Sequence, residues 1–297
     1  MPDILQVENA VVRYPLRGGV FGRALSYVEA VSGVSFGLAE GEILAVVGES
    51  GCGKSTLAQA LVGLVPWHAG RLFLRGEGVA LNSEKVWRQV RNSIQMVFQD
   101  PYTSLNPRHR VSEILGYPLF YKGVPARERE ARARDVLSKV GLPQNAFDKF
   151  PHEFSGGQRQ RLGIARALMT SPKILICDEV TSALDVSVQA QILKLLASLR
   201  RELGLSLIFI SHDMQVVRVL ADRVMVMYLG KVMEEGPVAE VFGEPLHAYT
   251  KALIKSVPTL NFGHRPECEF GHPDYFGGET FLAEVGRRRV RRQVEAS

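Results

Sequence analysis

The chain has 297 residues, 46% of them apolar and 23% charged, with a formal net charge of +5, a balance that allows one large domain with an extension or two modest ones and excludes a disordered chain. Its longest apolar runs, such as Ile43–Val47 and Leu205–Ile210, are strand-length and fall far short of the roughly 20 residues that span a bilayer; Met1–Val12 carries acidic residues and no signal-peptide core, so the protein is expected to stay in the cytosol. Three cysteines, Cys52, Cys177 and Cys268, are too few and too odd in number for a disulfide framework and fit a reducing compartment.

Residues 4–47 read mostly as short strands. Ile43–Val47 is a continuous apolar run, the pattern of a strand buried on both faces. A glycine-rich turn follows, then a helix over Lys54–Leu64 and strands over Gly70–Leu74 and Ile94–Phe98. After Pro101 the character changes: residues 101–170 look largely helical, with a heavily charged stretch at Ala126–Val140 and punctuation at Gly141, Pro143 and Pro151. From Lys173 strands and helices alternate: strand Ile174–Cys177, helix Val186–Leu203, strand Ser206–Ile210, helix Met214–Leu220, strand Arg223–Tyr228. Such alternation predicts an α/β fold with a parallel sheet, here interrupted by a helical insertion and followed after about residue 245 by an appendix. Near its end Arg287, Arg288, Arg289, Arg291 and Arg292 form a basic run. It reads first as a solvated tail, and second as a patch facing acidic lipid headgroups or a partner. Nucleic acid is not expected as a partner, since no aromatic residues interleave with the run.

Gly48-Glu49-Ser50-Gly51-Cys52-Gly53-Lys54-Ser55 matches the P-loop pattern in full, after a buried strand and before a helix. The glycines let the backbone wrap phosphates with its N–H groups inward, and the helix N-terminus adds positive potential. Gly48, Ser50, Gly51, Gly53, Lys54, Ser55 and Thr56 are therefore candidate nucleotide-binding residues. Lys54 would neutralise the β- and γ-phosphates and Ser55 would ligate magnesium. A glycine turn that merely precedes lysine is the bland alternative, which the strand–loop–helix order disfavours. Kinases and GTPases share the motif.

Strand Ile174–Cys177 ends in Asp178-Glu179, and ligands of open α/β sheets bind at the carboxyl ends of strands. Asp178 is expected to hold magnesium and Glu179 to polarise the water attacking the γ-phosphate. Alone, the pair reads equally well as a helix cap; the P-loop upstream favours chemistry. Cys177 reads as a small buried apolar residue. Phe154-Ser155-Gly156-Gly157-Gln158 precedes a helix predicted over Arg159–Met169. Such a turn is a second anion cradle by the physics of the first. One nucleotide needs one cradle, so the second points to a nucleotide held by another subunit; an ordinary capped helix is the alternative.

With these residues the sequence closely resembles the ABC ATPase family, whose signature is Leu-Ser-Gly-Gly-Gln; Phe154 stands at its first position. Gln99, in Val97-Phe98-Gln99-Asp100-Pro101, matches the glutamine loop that touches magnesium. Asp185, in Ser182-Ala183-Leu184-Asp185, matches the loop that crosses the dimer interface. His212 matches the switch histidine of the γ-phosphate, and Tyr14 aligns with the aromatic that stacks on adenine, although an aromatic in a strand is more often packing. The resemblance covers roughly residues 4–260. It implies a P-loop NTPase core with a mixed or parallel sheet and an N-terminal antiparallel β-subdomain over 1–100 and 171–245, an inserted α-helical subdomain over 101–170 and an extension over 246–297. It implies ATP and magnesium as ligands, with Ser55, Gln99 and Asp178 at the metal. Glu179, His212 and Lys54 are then catalytic, and Ser155, Gly156, Gly157, Gln158 and Asp185 serve nucleotide in a dimer.

Ala183–Leu193 and His247–Leu253 further resemble the ATPases of oligopeptide and dipeptide importers, a subfamily that also handles nickel and some sugars. That resemblance implies a second, related ATPase subunit (a homodimer stays open), two transmembrane permeases, an indirect solute-binding protein, and a peripheral place on the cytoplasmic face of the membrane. Subfamily members often carry an iron–sulfur cysteine cluster near the C-terminus. Here Cys268 stands alone there, so no iron–sulfur cluster is expected, and Cys268 with His264 and His272 makes a poor zinc site. A soluble ABC ATPase acting on ribosomes or DNA is the alternative, disfavoured by the single cassette and the absence of extended heptads.

Overall fold

The computed structural model describes residues 3–17, 24–256 and 280–293. The first two strands, β1 (Asp3–Arg17) and β2 (Ala24–Ala39), pair antiparallel over their length. They are longer than the short strands expected. Bulges explain the difference: the register shifts at several points, including between Val7 and Ala10 around Asn9, whose φ is +49°, and each shift breaks the two-residue alternation that marks a strand. Strands β4 (Ala69–Leu74) and β5 (Glu77–Gly78) complete an antiparallel sheet in the order β2-β1-β4-β5.

Between these pieces the chain enters a second sheet through β3 (Ile43–Val47) and leaves it along α1 (Lys54–Leu61). The other members are β6 (Ile94–Val97), β7 (Ile174–Asp178), β8 (Ser206–Ile210), β9 (Arg223–Tyr228), β10 (Lys231–Pro237), β11 (Thr280–Val285) and β12 (Arg288–Gln293), in the order β11-β12-β10-β9-β3-β8-β7-β6. From β9 to β6 all neighbours are parallel, whereas β10, β12 and β11 add on antiparallel. Every residue of β3, β7 and β8 is buried, because both faces are covered. Ile174 and Ile176 face the core shared with α1 and the antiparallel sheet, while Leu175 and Cys177 face the core built on the helices of the other side, the two-residue alternation of a pleated strand.

The helix α2 (Glu84–Ser93) leads into β6. Residues 101–168 hold helices α3 (Pro101–Ser104), α4 (Val111–Phe120), α5 (Ala126–Lys139) and α6 (Gly156–Leu168), with 3-10 turns at Gln144–Asp148 and Pro151–Glu153. Beyond β7 come α7 (Val186–Leu203), α8 (Met214–Leu220), α9 (Val238–Gly243) and α10 (Ala248–Lys255). No helix among the described residues is long and apolar enough to cross a membrane.

Two helix boundaries differ from expectation by more than a residue, and one reading differs outright. Helix α1 stops at Leu61, not Leu64, because Gly63 turns left-handed (φ +69°) and the N–H groups of Gly63 and Leu64 return to the carbonyls of Ala60 and Gln59, closing the C-terminus. Helix α6 starts at Gly156, three residues before the expected Arg159, because Ser155 and Gln158 cap it reciprocally. The arginine run is not a solvated tail: all of it but the exposed Arg287 lies in β12, on the antiparallel side of the central sheet between β11 and β10. Glu234 and Glu235 on β10 are buried (0% and 2% exposed), and buried carboxylates require cationic partners. Arg289 and Arg223 both bind Glu235, Arg288 stands 3.7 Å from Glu234, and Arg291 donates to the Val232 carbonyl at 2.8 Å. Cys268, His264 and His272 lie outside the described residues.

Candidate active site

The loop after β3 is shaped by its glycines. Gly48 (φ +148°) and Gly53 (φ +104°) take conformations that L-residues resist, and a Cβ at either would lie 2.1 Å from a backbone carbonyl oxygen, of Met227 and of Ala30 respectively. The loop is thus pressed between β2 and the end of β9. Lys54 opens α1 with 5% exposure, and its ammonium donates to the carbonyls of Gly48 (2.8 Å) and Glu49 (2.7 Å). Cys52 is buried beside it, Sγ 3.6 Å from the Lys54 nitrogen; burial pushes its thiol pKa up, with Lys54 opposing. Ser50 is exposed, whereas Thr56 is half-buried in α1.

The next residue, Ser55, donates its hydroxyl to Oδ1 of Asp178 at 3.0 Å, across 123 residues of sequence. Asp178 ends β7 with 4% exposure. Burial raises its pKa, with the Ser55 hydroxyl opposing and the neighbouring Glu179 adding to the rise. Glu179 has a left-handed backbone (φ +46°), held by its N–H on the Ile210 carbonyl at 3.1 Å; strain of this kind gathers at functional sites. Its Oε2 accepts from Gln99 Nε2 at 2.9 Å and lies 3.4 Å from His212 Nδ1. Gln99 follows β6, Glu179 follows β7, His212 follows β8 and the loop follows β3. All stand at the carboxyl ends of parallel strands, where open α/β sheets bind ligands.

Other predicted residues lie apart. Ser155 accepts from the Gln158 N–H at 3.4 Å and donates its own N–H to Gln158 Oε1 at 3.0 Å, capping α6. A Cβ on Gly157 would meet Val188 of α7 at 2.4 Å, and one on Gly156 would touch Leu184 and Tyr102, so this turn packs on the start of α7 in its own protomer. Asp185 caps α7, accepting from the Val188 N–H at 2.9 Å and the Ser187 hydroxyl at 2.6 Å; the Ser187 hydroxyl, first, lowers its carboxyl pKa. Tyr14 is 39% exposed on β1 and pairs with Val28, two residues from the Ala30 carbonyl that abuts Gly53.

Residues 31–182 match the family described as ABC transporter, and residues 233–270 match the oligopeptide/dipeptide transporter C-terminal region. The chain belongs to the ABC transporter ATPases. It is 49% identical to the oligopeptide transport ATP-binding protein OppF of Haemophilus influenzae over 86% of this chain and 78% of that protein. It is 47% identical to the dipeptide transport ATP-binding protein DppF of Escherichia coli over 89% and 79%. Among solved structures it resembles cbiO1 of Clostridium perfringens, part of the ABC transporter complex cbiONQ (TM-score 0.70, 33% identity, 82% of this chain and 92% of that one). It also resembles the dimeric ATP-binding cassette MJ0796 in a post-hydrolysis state with ADP and Pi (TM-score 0.69, 28% identity, 79% and 98%).

Within this ABC ATPase the structure adds neighbours that motif reading missed. Thr181, Gln189, Ser211 and Asp213 line a small cavity of about 100 Å³ with Glu179 and His212. Ser211 and Asp213 flank the predicted histidine, which was the available signal. Tyr249 had none that pointed to the loop: its hydroxyl receives the N–H of Glu49 at 3.2 Å, a contact across 200 residues.

Proposed function

We propose that this ATPase powers the uptake of peptides or a related small solute, as one of two ATPase subunits docked on two permeases at the cytoplasmic face of the membrane. An extracytoplasmic solute-binding protein would deliver the cargo. The match of residues 233–270 to the oligopeptide/dipeptide C-terminal region, together with the OppF and DppF relatives, supports the cargo class. The observation that carries the chemistry is the convergence of Ser55, Asp178, Glu179, Gln99 and His212, joined by contacts of 2.9–3.4 Å.

The residues fit a magnesium ion. Ser55 and Asp178 offer hard oxygens 3.0 Å apart, and Asp178 is a buried carboxylate whose ionised form needs a cation. Ser55, Asp178 and Gln99 would hold it, and when bound it offsets charge on the β- and γ-phosphates. The loop N–H groups, Ser50, Gly51, Gly53 and Thr56 among them, cradle the phosphates, and Lys54 exchanges its two carbonyl partners for phosphate oxygens. Tyr14 stacks on adenine. Glu179 releases Gln99, orients the attacking water and draws its proton as the water oxygen bonds to the γ-phosphorus. The bond to the bridging oxygen breaks, and ADP and phosphate leave. His212 supports the charge that builds on the transferred group. Ser155, Gly156, Gly157 and Gln158 pack on the start of α7 and make no contact with this loop among the described contacts of their own protomer; in a dimer they would meet the γ-phosphate of the opposite one, with Asp185 at the junction.

Glu179→Gln tests the assignment of the base. It keeps the side-chain volume and removes the proton acceptor, so ATP should bind with near-normal affinity while turnover falls about 100-fold or more. Turnover within a few-fold of the parent protein would sink this assignment.

A further inference from the structure

The Gly48–Glu49 peptide, the first of the phosphate loop, is held at both of its polar ends. Its carbonyl, on Gly48, accepts from Lys54 at 2.8 Å, and its N–H, on Glu49, donates to the Tyr249 hydroxyl at 3.2 Å. Tyr249 is fully buried, its ring against that of Tyr228 at 4.4 Å. The segment that carries Tyr249 is itself fixed. His247 caps α10 by accepting the Tyr249 N–H at 3.1 Å, and the buried carboxylate of Glu234 accepts the N–H groups of Leu246 (3.1 Å) and His247 (3.0 Å) while facing Arg288 of β12. A continuous set of contacts therefore runs from the C-terminal strands through Glu234 and α10 to the loop.

The two anchors differ in permanence. Once Lys54 turns to phosphate, the Gly48 carbonyl loses it, and the Tyr249 hydroxyl is the side-chain anchor that stays. A loop whose first peptide could rotate would have to be ordered again at each binding event, at a cost in affinity. We propose that Tyr249 is a positioning residue for the phosphate loop, through which the C-terminal segment sets the affinity for ATP. The inference rests on the reading that this loop binds ATP.

The test uses the full chain with Tyr249→Phe, which keeps the ring and removes only the hydroxyl. Isothermal titration with ATP in EDTA and steady-state hydrolysis with magnesium give Kd, KM and kcat; a thermal melt gives Tm. The cost of re-ordering the unanchored peptide predicts Kd and KM raised about 3- to 10-fold, with kcat within twofold and Tm lowered by no more than a few degrees. Leu137→Ala serves as the contrast: Leu137 of α5 is fully buried in the core on the helices of the other face, a cluster separate from that of Tyr249, so this variant destabilises the fold with α10 and the hydroxyl intact and should lower Tm with KM unchanged. An equal rise of KM in both variants, or failure of Tyr249→Phe to fold, makes the role structural and overturns the inference. Normal ATP affinity in Tyr249→Phe overturns it too, provided Lys54→Ala has lost binding. If Lys54→Ala also binds normally, it is the reading of the loop that fails.

Discussion

Asp178 sets function against stability at the scale of one side chain. Its carboxylate is buried beside Glu179 with the Ser55 hydroxyl as its hydrogen-bonding side-chain partner, and burial raises its pKa. Its ionised form is therefore disfavoured in the folded protein relative to the unfolded chain: stability is lost as pH rises from the unfolded pKa through the raised folded one. Asparagine has the same shape and no charge. Asp178→Asn is expected to melt at or above the parent temperature without nucleotide, while magnesium-dependent hydrolysis falls by about 100-fold or more, as for the loss of a strong electrostatic group. A lower Tm together with retained hydrolysis would mean that the carboxylate serves the fold and not the metal. Glu179 shows the same tension in its backbone, since a left-handed glutamate costs of order 1 kcal/mol.

At the scale of elements, α10 gives a prediction with a sign. The His247 pKa is pushed down to about 4, by burial first and by Arg291 second. Between pH 6.5 and 4 the unfolded chain binds the proton that the folded one refuses, so stability rises with pH and is lost on acidification across that window. The penalty at pH 4 amounts to about 2 kcal/mol after allowance for remaining solvent contact. Asparagine caps helices well and does not titrate. The drop in Tm between pH 7 and pH 5 should therefore be smaller in His247→Asn than in the parent; an equal drop would reject the assignment. Elements of this kind were unequally legible in the sequence. Strands β3, β7 and β8 could be read because a strand buried on both faces is a continuous apolar run, and α7 because its cap at Asp185 and its stop at Gly204 are local. Strand β12 could not: four arginines in six residues look solvated until the buried Glu234 and Glu235, over fifty residues earlier, supply their partners. The site divides in the same way. Lys54, Asp178 and Glu179 sit in short motifs, but the bond from Glu49 to Tyr249 spans 200 residues and exists only once β9 and α10 have packed.

At the scale of the molecule, the transporter reading requires a surface for the permease that is not the dimer face. Helices α4 and α5 carry a candidate surface. Phe120 and Tyr121 are 55% and 82% exposed, and Tyr117 stacks near Tyr121 at 6.4 Å. Arg129 lies over Phe120, and a cavity of about 340 Å³ opens among Tyr117, Phe120, Arg129 and Phe147. Exposed aromatics beside a cleft, with Arg129 at the rim next to Glu113 and Glu130, have the makeup of interface hot spots, and α4 follows closely on Gln99, the contact of Glu179. Phe120→Ser combined with Tyr121→Ser removes surface side chains and no core, so the isolated subunit should hydrolyse ATP as before. The tagged variant should no longer recover polytopic membrane proteins from detergent-solubilised membranes of its host, whereas the parent chain should bring down two of them with a second ATPase. Undiminished recovery would place the docking surface elsewhere on the molecule. Recovery of ribosomal proteins or DNA by the parent chain, with no membrane protein, would overturn the transporter reading itself.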